Sequence, residues 1–170
     1  HAEQLHQMEK IAKSVQSMLS AATEDSALIS TSLYMDSSLQ DFVSRQYASP
    51  QDYFSSYREY IHNSLLQGVS RITNSVIRVY ADNETLINGS EFARLSTVSQ
   101  EPWYQQYTAD GYSPRLLFSY DETDGRQVLF LRGMNGLYSN KAERLLCIEI
   151  NYSTLDRDFQ NMGYNDSVYV

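Results

Sequence analysis

Apolar residues near the start of the chain recur in an unbroken 3-4 alternation: Leu5, Met8, Ala12, Val15, Leu19, Ala22, Ser26, Ile29 and Leu33. Only Ser26 in that series is polar, and no Pro or Gly interrupts the run. The pattern predicts one long helix with a heptad seam, about 42 Å long at a rise of 1.5 Å per residue. Ile11 and Met18 widen the stripe at its beginning, giving more apolar area than a bare two-stranded coil requires. Such a stripe can meet a partner helix, pack on its own domain, or do each along different stretches.

A short helix is expected at 37–46, with Leu39, Phe42 and Val43 on one side. Ser49-Pro50-Gln51-Asp52 then reads as a helix start, with Ser as N-cap, Pro at the first position and an acid in the first turn. Phe54, Tyr57, Ile61, Leu65, Val69 and Ile72 mark the expected buried side of a single helix running to about Arg71. After that the period changes from helical to two. Residues 75–80 form a predicted strand, with Ile77 and Val79 on one face and Arg78 and Tyr80 on the other. A polar turn leads to a second short strand at 85–89. The segment 99–108, containing Glu101-Pro102-Trp103-Tyr104, suits a short helix.

Two strands at 115–120 and 127–134 are joined by Asp121-Glu122-Thr123-Asp124-Gly125, a hairpin signal. A nearly all-apolar strand follows at 144–152, and Ser153 with Asp156 resembles a capping box for a last helix. Helices first and strands later suit an α+β domain. The expected architecture is a long N-terminal helix packed on an antiparallel sheet of about five strands with short flanking helices.

Composition narrows the function. The formal net charge of -8, with no compensating Lys/Arg run, repels nucleic acid and anionic lipid. Cys147 is the single cysteine, so no intramolecular disulfide forms. No apolar run approaches the roughly 18 residues that span a bilayer, and no signal peptide opens the chain. The chain begins with His rather than Met and closes on the strand-like Ser167-Val168-Tyr169-Val170, so both ends are expected to be internal to a longer protein.

Catalytic chemistry finds little to work with. His1, His6 and His62 stand at no metal-ligand spacing, and no phosphate-binding glycine loop or Ser-centred glycine elbow is present. Asp121, Asp124 and Gly125 lack the remaining ligands of a calcium loop, which leaves a plain hairpin turn. No catalytic residue, metal or cofactor is expected. Four sequons, at Asn83, Asn88, Asn151 and Asn165, arise easily in a chain rich in Asn and Ser.

Tyrosine is abundant, with 14 copies. Strand alternation sends Arg78 and Tyr80 away from the helices. Phe130 shares a face with Arg132, and Phe118 with Tyr120, while Trp103 and Tyr104 come from the neighbouring short helix. The expected ligand-binding set is therefore Arg78, Tyr80, Trp103, Tyr104, Tyr120 and Arg132. Aromatic walls with two guanidinium groups would suit a small polar or anionic ligand, or a sugar ring. The alternative is an amphipathic sheet surface with both arginines solvated.

The order of these segments resembles the extracytoplasmic part of Cache-type (PAS-like) sensor histidine kinases, particularly those of Gram-positive bacteria. The resemblance rests on 72–80 leading into Asn83-Glu84-Thr85-Leu86-Ile87-Asn88-Gly89, then Trp103-Tyr104-Gln105-Gln106 and Val128-Leu129-Phe130-Leu131-Arg132. It continues through Leu146-Cys147-Ile148-Glu149-Ile150-Asn151, Ser153-Thr154-Leu155, Gly163 and the closing 166–170. It implies a signalling and dimerisation helix at 1–35, a PAS-like sensor domain at 36–152, and a connection at 153–170 toward a membrane-proximal subdomain. It further implies a parent anchored in the cell membrane with this part on the extracytoplasmic face. The expected role is signal input through a small-molecule ligand or a solute-binding protein, with homodimerisation through the long helix. The ligand-binding domain of a chemoreceptor and a passive extracellular binding module are the alternatives. Amino-acid-binding members of this fold carry an Arg two residues before the Trp, where this chain has Glu101. A carboxylate there would repel that of an amino acid, so an amino-acid ligand is not expected.

Overall fold

The computed structural model describes residues 1–123, 125–134, 143–151, 155, 157, 160 and 161, with the side chain of Asp121 left aside. The fold is α+β: a long N-terminal helix and short helices around a five-stranded sheet. Helix α1 covers Ala2–Tyr34 as a single rod, as the unbroken seam requires. Its seam, however, changes environment along its length. Leu5 and Met8 are 61% and 65% exposed, Val15, Leu19 and Ala22 are partly covered, and Ser26, Ser30 and Leu33 are buried. The second half of α1 is thus built into the domain while its first turns stand clear.

Helix α2 (Ser37–Ser44) starts where the Asp36 side chain accepts from the Ser38 N–H at 3.1 Å. Ser49 and Pro50 open α3 (Pro50–Ile61) as the motif predicts, with the Asp52 N–H donating to Ser49 Oγ at 3.2 Å and the Ala48 N–H to Asp52 Oδ2 at 3.0 Å. The single helix expected to reach Arg71 is instead two. After a break, the Ser64 hydroxyl accepts from the Gln67 N–H at 3.1 Å and starts α4 (Leu65–Thr73), which ends at Asn74 in the left-handed region. Tyr57, Ile61 and Val69 of the expected stripe pack against the core, but other positions of the stripe do not. Tyr53 and Leu66 are buried, whereas Phe54, Leu65 and Ile72 are exposed.

The strands are β1 (Val76–Ala81), β2 (Phe92–Arg94), β3 (Arg115–Asp121), β4 (Gly125–Gly133) and β5 (Arg144–Ile150), in the order β2-β1-β5-β4-β3. A short helix, α5 (Pro102–Ala109), follows β2. The sheet is mixed rather than wholly antiparallel, because β2 runs parallel to β1 with Val79 opposite Phe92. The expected strand at 85–89 does not form. That segment is held as a loop by Asn83, whose amide donates to the carbonyls of Val43 (3.0 Å) and Arg45 (2.8 Å). The same side chain accepts from the Thr85 N–H at 3.1 Å and the Thr85 hydroxyl at 2.6 Å. The loop carries Leu86 into the core and returns the chain to pair β2 alongside β1. The proposed cap at Ser153 and Asp156 and the closing strand at 167–170 lie outside the described residues.

Two cores result, one on each sheet face. On the inner face Ile77, Val79, Phe130, Leu146 and Ile148 pack with Leu33, Leu39, Phe42 and Val43 from the helices. Phe42 anchors a ring cluster with Tyr47, Tyr53, Tyr57, Tyr60 and Phe92, stacking on Tyr60 at 4.9 Å. Much of the tyrosine excess is therefore structural. On the outer face Tyr80, Leu117, Leu129, Leu131, Leu145 and Cys147 pack with Tyr107, Leu95 and Val98, and Trp103 and Tyr104 lie against them.

Candidate functional site

Pairing register decides which predicted residues meet. Arg78 on β1 stands opposite Cys147 on β5, and Cys147 stands opposite Leu131 on β4. Arg78, Cys147 and Leu131 therefore share the outer face, one pleat apart from Arg132, which is registered with Leu146 of the inner core. Tyr120 pairs with Arg126 at the far end of β3 and is 72% exposed. Side-chain alternation puts it on the helix side with Phe118. Of the expected six residues, Arg132, Tyr120 and Tyr104 do not line the outer-face cleft.

Arg78, Tyr80 and Trp103 do come together. With Glu101, Gln127 and Glu149 they line an open cleft of about 190 Å³, floored by Cys147 and Leu129. The Tyr80 and Trp103 rings form a tilted wall, with centroids 5.9 Å apart at 48°. The Arg78 Nε donates to the Ser90 carbonyl at 3.0 Å. Burial alone would lower the Arg78 pKa, but hydrogen bonding to Tyr80 and the neighbouring Cys147 and Glu149 leave it raised. Burial raises the Tyr80 phenol as well, and pushes the Cys147 thiol up to about 12. The floor thiol is thus neutral and unreactive at ordinary pH.

Glu101 occupies the N-cap position of α5, yet its side chain makes no capping hydrogen bond and lines the cleft instead. Among the described residues neither Glu101 nor Glu149 reaches a basic group within ion-pair distance. Glu149 and Gln127 escaped the sequence reading. The signal was present, since both alternate with inner-face residues of β5 and β4, but it points to the cleft only once β1 is known to pair with β5.

Tyr104 lines a second, larger cavity of about 490 Å³ with Tyr107, Tyr112, Gly133, Glu143 and Arg144. Burial, with Asp82 nearby, raises the Glu143 pKa. Burial likewise raises Tyr104, helped by the negative groups Glu143 and Asp82. Arg144 is buried with Nη1 donating to Ser44 Oγ at 3.0 Å and Nη2 to the Met134 carbonyl at 3.3 Å, which makes it part of the scaffold.

Arg132 has a different partner from the one the sequence suggested. Its Nη1 donates to Ser30 Oγ at 3.1 Å and Thr31 Oγ1 at 2.9 Å, and its guanidinium lies 4.7 Å from the Tyr34 ring centroid. It clasps α1 to β4. The next residue, Gly133, donates its N–H across the sheet to the Tyr107 hydroxyl at 2.8 Å, and that hydroxyl donates to the Tyr112 carbonyl at 2.6 Å. Two consecutive residues of β4 thus hold α1 on one side and α5 on the other.

Among the described residues, no three His, Cys, Asp or Glu side chains are grouped to hold a metal, and no helix is long and apolar enough to cross a membrane. No protein-family model matches the chain, and no curated protein matches it significantly.

Proposed function

We propose that this chain is the extracytoplasmic signal-input domain of a membrane-bound sensor histidine kinase, with the outer-face cleft as its ligand site and α1 as its output element. The observation that carries the reading is the two-sided grip of β4. Trp103 of the cleft wall sits on α5, α5 is tied to Gly133 through Tyr107, and the adjacent Arg132 is tied to α1 at Ser30 and Thr31. A ligand that moves α5 thereby acts on a helix that leaves the domain as a rod. Signalling requires an element whose arrangements are biased differently by bound and free states, and polar clasps of this kind can exchange partners with little change in apolar burial.

The first turns of α1 have a separate role in this reading. Leu5, Met8 and Ala12 are exposed along one seam, and we assign that stretch to a second copy of the chain. The fragment itself transfers no group, and phosphotransfer belongs to the output part of the parent.

The experiment is deletion of residues 36–152 from the full-length protein in membrane vesicles. Basal autophosphorylation should survive while its dependence on stimulus disappears. A response that persists without the domain, or a parent lacking both a transmembrane helix and an output domain, would contradict the reading.

A further inference from the structure

Resting on the reading of the outer-face cleft as a ligand site, we infer that its ligand is a small organic cation, an alkylammonium or quaternary ammonium group without a carboxylate of its own. Sequence alternation alone suggested two guanidinium groups beside aromatic rings, hence a small polar or anionic ligand, or a sugar ring. The register reverses that charge. Arg132 is on the other face, and the described charged residues lining the cleft are Glu101, Glu149 and Arg78, two carboxylates against one guanidinium.

The carboxylates are available and the guanidinium is partly engaged. Neither Glu101 nor Glu149 is within ion-pair distance of a basic group among the described residues, although Glu149 neighbours Arg78, and Arg78 is itself anchored to the Ser90 carbonyl. Glu101 forgoes the capping bond its backbone position offers. The remaining wall is Trp103 against Tyr80, and the negative faces of aromatic rings attract cations, Trp most strongly. A positive group seated between that wall and the carboxylates gains from both. The volume of about 190 Å³ admits only a small ligand, and the chain's net charge of -8 draws cations toward the surface.

Trp103 is the sole tryptophan, so its fluorescence reports cleft occupancy without labelling. The test is titration of the whole chain with tetramethylammonium and ethylammonium chlorides, against tert-butanol as a neutral shape control and sodium acetate as the anion, at fixed ionic strength. Saturable fluorescence changes are expected for the cations alone, with Glu101→Gln and Glu149→Gln each weakening them about tenfold, the effect of losing one partly desolvated charge contact. Saturation by acetate, or by tert-butanol as tightly as by the cations, would overturn the cationic assignment while leaving the cleft a binding site. Absence of saturation by every probe would overturn the assignment and the site together. The sensor reading is judged separately by the 36–152 deletion, so the two can fail independently.

Discussion

Asn83 joins the helical layer to the sheet with every polar atom of its side chain in use. It is 2% exposed, donates to the carbonyls of Val43 and Arg45, and accepts from Thr85 and from Gln46 Nε2 at 3.3 Å. Asn83→Ala should lower unfolding free energy by about 2–4 kcal/mol, because two carbonyls lose their donors in a buried site. Urea denaturation monitored by circular dichroism measures it, and a loss within the scatter of a surface substitution would contradict this role. The residue sits in a sequon, yet nothing about the tripeptide alone distinguishes a surface Asn from a buried hub. The facing of Arg78 and Tyr80 was legible, since alternation within one strand needs only that strand. Arg132 and Tyr120 were not, because their faces depend on how β4 and β3 register against β5, which no local pattern encodes. Glu101 stands out in the sequence by its place two residues before Trp103, whereas Glu149, which lines the same cleft, appears only through pairing.

At the scale of elements, the long helix was legible from its period and the α3 start from its cap motif, while the break before α4 was not. Ser64 competes as a new cap, and Tyr53, outside the expected stripe, joins Tyr57 in the Phe42 cluster while Phe54 stays exposed. That cluster has a titration consequence. Burial pushes Tyr47 and Tyr57 up to about 12, the latter also through its hydrogen bond to Glu91, and raises Tyr53 and Tyr60 too. In the unfolded chain these phenols ionise near the ordinary 10.0. Between pH 10 and 12 the folded state therefore holds more protons than the unfolded one, and stability falls as pH rises. Loss of the helical circular dichroism signal together with a cooperative rise in tyrosinate absorbance is expected in that window. Ionisation of all tyrosines near pH 10 without unfolding would show that the cluster is not closed.

For the whole molecule, the α+β class and the packing of a long helix on a five-stranded sheet were legible from the order of periodicities. The parallel β2 was not, because a loop pinned by Asn83 replaces the expected strand at 85–89. The molecule that results has an acidic, aromatic cleft on one face of the sheet and a rod on the other, with β4 between them. Its rod is embedded only in its second half, and under the proposed function the exposed first turns report what the embedded half does. The most direct measurement of that linkage is stimulus-dependent autophosphorylation of the full-length protein carrying Arg132→Gln, alongside the melting temperature of the isolated variant chain. The expected result is a chain that still folds, since Arg132 is only half-buried, Thr31 is exposed and the buried Ser30 hydroxyl keeps its bond to the Ala27 carbonyl, and a kinase whose output no longer follows its stimulus. A folded variant with an undiminished response would contradict it.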